Sequence, residues 1–182
     1  TDQEQMLADI TYLADDKLEG RTFGSKGEMK AGDYIAKRYK QLGLKPMGEN
    51  GTWFQELTVK NPNPHTVEFA AKGENESKSG RNVLGYLDHG APYTIILGAH
   101  YDHLGYGTFG SLYVGDPAIH NGADDNASGV AMILEMAQRL ATGVATCLVG
   151  VECYEGLWAK GDTAADQALA DELMGRVSAI AR

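Results

Sequence analysis

Cysteine is scarce in this 182-residue chain, with only Cys147 and Cys153 present. Two thiols exclude both a disulfide framework and the four-donor set of a zinc ribbon, so they read as core or free thiols. Long apolar runs are missing too, and no stretch approaches the roughly 18 residues of a membrane span. Basic residues are few: 16 lysines and arginines against 25 carboxylates leave a formal charge of −9. A nucleic-acid partner needs a basic face, so none is expected. Histidines number five, with none after His120. The chain opens at Thr1 on a helical pattern rather than a secretory leader, a start that fits processing, and composition leaves the compartment open.

What is present is ordinary for a folded domain. Hydrophobic residues make up 43% and charged residues 23%, so one globular unit over 1–182 is expected. Met6, Leu7, Ile10 and Leu13 recur at helical spacing. A second stripe, Ala31, Tyr34, Ile35, Arg38, Tyr39 and Leu42, predicts a helix from Lys26 to Tyr39, ended by Gly43. The glycines of 18–27 predict a loop between them. From Trp53 the period becomes two, with Gln55, Leu57 and Val59 on one face. Asn61 to Pro64 reads as a turn, 66–71 as a strand and 72–80 as a polar loop. Strands follow at 81–87 and 93–97, the latter apolar on both faces as in the centre of a covered sheet. A helix at 127–140 buries Val130, Ile133, Leu134 and Ala137, and 145–151 is a further strand. The terminal segment 163–181 carries Leu169, Leu173, Val177 and Ile180 on one helical face, behind a capping pair, Thr163 and Asp166. No repeat or linker interrupts this order, which predicts a single-domain α/β sandwich with a mixed sheet.

The chemistry gathers in two loops. Gly98-Ala99-His100-Tyr101-Asp102-His103 follows an apolar strand, where α/β proteins place their sites. Alone, His100 is commonly a satisfied polar residue. Asp102 lies two positions on along an extended segment and so shares its side, where it can take the second ring N–H and make the free nitrogen a better metal ligand. The second loop, Asn121-Gly122-Ala123-Asp124-Asp125-Asn126-Ala127-Ser128-Gly129, opens a helix. Its carboxylates could cap that helix. A cap needs only one, however, and a carboxylate can also bridge two cations.

With these motifs in place, the chain resembles the co-catalytic dizinc aminopeptidases of the bacterial leucyl, aminopeptidase S and aminopeptidase Y type. Their relatives include glutaminyl cyclases. The likeness runs from about Leu13 to Leu140, through Leu18-Glu-Gly-Arg-x-x-Gly-Ser-x-Gly27, Ile35 to Leu44, Arg81-Asn82-Val83 and both loops. It implies a three-layer, zinc-exopeptidase-like fold with a mostly parallel sheet, truncated here. It also implies Zn²⁺, one or two ions, ligated by His100 and bridged by Asp125, with Asp102 orienting the imidazole and Asp124 shaping the loop. No ligand role passes to His103 or His120. The implied activity is release of N-terminal residues from peptides by a metal-activated water and a glutamate base, in a secreted or periplasmic setting.

The family pattern continues with adjacent glutamates, whereas this chain reads Val149-Gly-Val-Glu-Cys-Tyr-Glu-Gly-Leu-Trp158. Glu152 is then the candidate base and Glu155 a candidate ligand, beside the reading of both as surface carboxylates. The family's last ligand, a late histidine, has no counterpart, and Asp162, Asp166 and Asp171 read as solvated. From about 141 to 182 the chain is divergent. An alternative therefore stands beside the peptidase: a degenerate, non-catalytic module of the same fold that binds a partner or a single metal. The apolar stripe of 163–181 leaves a homo-oligomer open.

Overall fold

Two helices begin the chain, and side chains of the first meet side chains of the second. The structure, a computed structural model, describes residues 2–60, 77–90, 94–108, 111–141 and 146–152, with 59, 60, 77 and 146–152 as backbone. Helix α1 (Asp2–Leu13) buries Leu13 and Asp9. Asp9 accepts the Tyr34 hydroxyl and pairs with Arg38 at 3.0 Å, and Tyr12 stacks on Tyr34. Because the buried edge turns through Asp9 toward these partners, Leu7 is left 64% exposed and does not join the predicted stripe.

The expected loop after α1 is instead a tight helical turn, Asp16–Arg21, in which Glu19, Gly20 and Arg21 are left-handed. Helix α2 (Lys26–Gln41) starts where the Ser25 hydroxyl accepts the Glu28 N–H at 3.1 Å, and it runs two residues beyond its predicted end. Gly43 follows at φ +81°, the left-handed position that a glycine stop supplies. Ala31, Ile35 and Tyr39 face the core, as their spacing predicts.

Among the described residues, five strands form one open sheet: β1 (Lys45–Pro46), β2 (Phe54–Lys60), β3 (Ser77–Leu87), β4 (Thr94–His100) and β5 (Thr146–Glu152). Their order is β1-β3-β5-β4, with β2 also on β3. The predicted mixed sheet is therefore observed. Its balance differs from expectation: β1, β2 and β5 all run antiparallel to β3, and parallel pairing is confined to β4 with β5. A parallel pair needs a crossover, and among the described residues the one crossover helix is α3 (Ser128–Ala141), which lies between β4 and β5 in the chain.

Two strand readings shift. β3 begins at Ser77, so residues 77–80 of the expected polar loop are strand, paired with Leu57 to Lys60. β4 is not central among the described strands; it pairs with β5 alone, and Ile95 and Ile96 are each 49% exposed. Gln55 and Leu57 are buried, as the alternation of β2 predicts.

Helix α3 buries Val130, Ile133, Leu134 and Ala137. These side chains join Leu13, Ile35, Tyr39, Val83, Leu87 and Tyr101 in one apolar cluster, against which Leu97 and Ala99 of β4 also pack. The predicted strand at 66–71, the turn at 61–64 and the helix at 163–181 lie outside the described residues. No described helix is long and apolar enough to cross a membrane.

Candidate metal centre

β4 carries the first group to the rim of the sheet. Its last residue is His100, in register with Glu152 at the end of the parallel neighbour β5. The chain then continues through the buried residues Tyr101 and Asp102. The imidazole Nδ1 lies 3.2 Å from the backbone carbonyl of Asp102 and 3.5 Å from its carboxylate. A proton on Nδ1 is therefore held by Asp102, and Nε2 is the nitrogen turned toward the second loop.

The second group comes from the turn that opens α3. Gly122 is left-handed at φ +58°, and the Asp125–Asn126 peptide is cis. Asn126, not an aspartate, caps the helix: its side-chain oxygen accepts the Gly129 N–H at 3.1 Å. Neither carboxylate is consumed by capping, which removes the structural alternative raised for the pair. Asp124 contributes its carbonyl to the Ser128 hydroxyl at 2.7 Å and keeps a loop-shaping place. Asp125 extends toward β4, with Oδ1 3.1 Å from His100 Nε2 and Oδ2 3.6 Å from His103 Nδ1.

That separation suits a shared cation. Two donors each about 2.0–2.1 Å from a tetrahedral zinc sit about 3.3 Å apart. A neutral imidazole nitrogen and a carboxylate oxygen are also donors zinc accepts. The fit covers two of the four positions a zinc ion fills. Among the described residues, no group of three or more His, Cys, Asp and Glu side chains is gathered to hold a metal. Glu152 stands beside His100 in strand register, and Glu155, Asp162, Asp166 and Asp171 lie outside the described residues. His120 is turned elsewhere, with Nε2 3.3 Å from the Ser111 hydroxyl and its ring edge-on to Tyr113.

Sequence reasoning missed the supports beneath these loops. Arg21 is fully buried and donates to the carbonyls of Leu13, Tyr101, Asn121 and Gly122. Burial draws its guanidinium down to about 10, against the raising influence of Asp102 and Asp125. Glu28 is also fully buried, against the Tyr101 hydroxyl, and desolvation lifts its carboxyl to about 7. Both residues sit in or beside the Leu-Glu-Gly-Arg…Gly-Ser-Lys-Gly stretch. The available signal is a charged residue directly after a glycine, Gly20-Arg21 and Gly27-Glu28.

Residues 82–152 match the model of Peptidase family M28. The alkaline phosphatase isozyme conversion protein of Escherichia coli is 28% identical over 130 residues, 66% of this chain and 33% of that protein. Among solved structures, a Zn-dependent exopeptidase from Parabacteroides distasonis gives a TM-score of 0.59 at 18% identity, over 90% of this chain and 51% of that one. A leucine aminopeptidase precursor from Bacteroides thetaiotaomicron gives 0.57 at 16%, over 81% and 45%. Glutaminyl cyclase from Porphyromonas gingivalis gives 0.60 at 17%, over 82% and 46%. The chain thus spans a third of the curated relative and about half of these structures. With the fold and both loops in view, the protein is similar over residues 82–152 to the M28 peptidases, on a zinc-exopeptidase-like α/β fold.

Proposed function

We propose that this protein is a zinc-dependent hydrolase that releases N-terminal residues from peptides. The single observation that carries the reading is the 3.1 Å approach of His100 Nε2 to Asp125 Oδ1, with Nδ1 turned onto Asp102. The M28 match over the same loops and the zinc-exopeptidase-like fold support it. His100 and Asp125 would hold the cation, Asp102 would keep the imidazole in the tautomer that offers Nε2, and Glu155 is a further candidate donor. A zinc ion so held would supply Lewis-acid polarisation of the scissile carbonyl. Glu152, one strand over from His100, is the candidate base; its carboxylate would accept the proton of the attacking water and pass it to the leaving amine.

The test is hydrolysis of aminoacyl-nitroanilides with metal content measured alongside. The reading expects chelator-sensitive release, lost in Asp125→Asn together with bound zinc. In Glu152→Gln the rate should fall by about 10²–10⁴ while zinc is retained. Full-rate hydrolysis by Asp125→Asn would end the assignment. Because relatives of this fold include glutaminyl cyclases, cyclisation of N-terminal glutaminyl peptides is the second substrate arm.

One observation favours a second reading, a module of this fold that binds a single cation or a partner without turnover. Among the described residues only two donors converge, short of the three protein ligands of catalytic zinc sites. Metal bound at one ion per chain with no turnover in either arm would select it.

A further inference from the structure

Three long-range hydrogen bonds from one buried side chain join the two loops. Arg21 Nε donates to the carbonyl of Tyr101 at 2.6 Å, 80 residues away. Its terminal nitrogens donate to Asn121 at 2.7 Å and Gly122 at 3.0 Å, 100 and 101 residues away, and to Leu13. Tyr101 directly follows His100, and Gly122 lies three residues before Asp125. The main chain of the same turn adds two ties: His103 N–H to the Arg21 carbonyl at 3.2 Å, and Gly105 N–H to the Gly20 carbonyl at 3.1 Å. From the opposite direction, the Asn121 amide donates to the Ala14 carbonyl and to Asp16, both at 2.7 Å.

All four Arg21 bonds go to backbone carbonyls, and this decides what the residue does. A guanidinium bonded to a carboxylate neutralises a charge. One bonded only to carbonyls fixes the chain segments that carry them, and its planar fork does so with set angles. A lysine in the same place keeps the charge but offers a single nitrogen, which cannot reach both loops at once.

We infer that Arg21, together with Asn121, is a positioning residue that sets the separation of His100 and Asp125 by clamping the backbones of their two loops. The inference rests on the proposed metal-binding reading and assigns a determinant of cation affinity outside the ligands themselves. Ligand-supporting contacts of this kind are worth about 10–100-fold in metal affinity.

The test titrates Co²⁺ into the metal-free 182-residue protein and follows the visible ligand-field bands, with circular dichroism establishing that each variant is folded. In Arg21→Lys the expected result is Co²⁺ binding weakened by about 10–100-fold, with altered band intensity. A residue that served only the fold would lower the metal-free unfolding temperature but leave affinity and spectrum unchanged. That result in folded Arg21→Lys overturns the inference. Where Arg21→Lys does not fold, Asn121→Ala decides alone, since it removes only the two amide hydrogen bonds of a partly exposed side chain. Weakened binding supports the clamp, and wild-type affinity overturns it. A wild-type protein that binds no Co²⁺ is a different failure, for it removes the metal reading itself.

Discussion

The hydroxyl of Tyr101 lies between the carboxyl of Glu28 and the carbonyl of Arg81, touching the first and 2.6 Å from the second. A phenol has one proton and here meets two acceptors. A protonated Glu28 resolves the conflict by donating its own hydrogen, which agrees with the lift of its carboxyl to about 7 by burial. Tyr101 is the residue between His100 and Asp102, so this buried pair forms the floor of the first loop.

Stability should therefore fall as pH rises through neutrality. The folded chain holds the Glu28 proton up to about 7, while the unfolded chain releases it near the ordinary glutamate value of 4.5. Between these values the native state binds more protons, so its advantage is complete below the lower value and gone above the upper. The total is about 3 kcal/mol at most. Glu28→Gln, a neutral isostere, should flatten this slope and be the more stable protein at pH 8. Urea unfolding at pH 5 and pH 8 measures it; equal slopes in both proteins would contradict the assignment.

Gly20 should tolerate no side chain. Its φ is +67°, and an added Cβ would meet the His120 carbonyl at 2.5 Å and the Gly105 carbonyl at 2.6 Å. Left-handed strain costs about 1–2 kcal/mol, and backbone atoms cannot yield as a side chain can, so Gly20→Ala should lose roughly 2–4 kcal/mol. Gly43, at φ +81° with nothing within 4 Å, supplies the control. There Gly43→Ala should cost only the strain, about 1–2 kcal/mol. Denaturant midpoints of the two variants compare them directly.

Removing the Asp102 carboxylate should weaken zinc less than removing the imidazole. His100 Nδ1 is closer to the Asp102 carbonyl, 3.2 Å, than to its carboxylate, 3.5 Å, so the main chain keeps the tautomer when the side chain changes. Asp102→Asn should lower affinity by about tenfold, the low end for such supports, and His100→Ala by far more. Competition against a chromophoric chelator reads both constants. Equal losses would give the carboxylate the larger part.

The local pattern carried much of this. Helical spacing found α2 and α3 because each turns one stripe toward a common core, and Gly43 marked the stop. The His-x-Asp and Asp-Asp loops were legible because each places its donors within two residues of one another. What failed was long-range. Nothing near Leu7 announces that Asp9 will turn α1 toward Tyr34 and Arg38. The apolar run of β4 predicts a covered strand, and coverage depends on which strands pair with it rather than on its own residues. The capping of α3 by Asn126 was hidden by its acidic neighbours. Arg21 and Glu28 carry no local sign of burial, because their partners lie 73 to 101 residues away.

The segment matching the peptidase family begins at Asn82 and contains His100, Asp102, Asp125 and Glu152. The residues that seat it, Arg21 and Glu28, were made sixty positions or so earlier. A fragment cut to the matching borders would keep His100, Asp102, Asp125 and Glu152 but lose their footing.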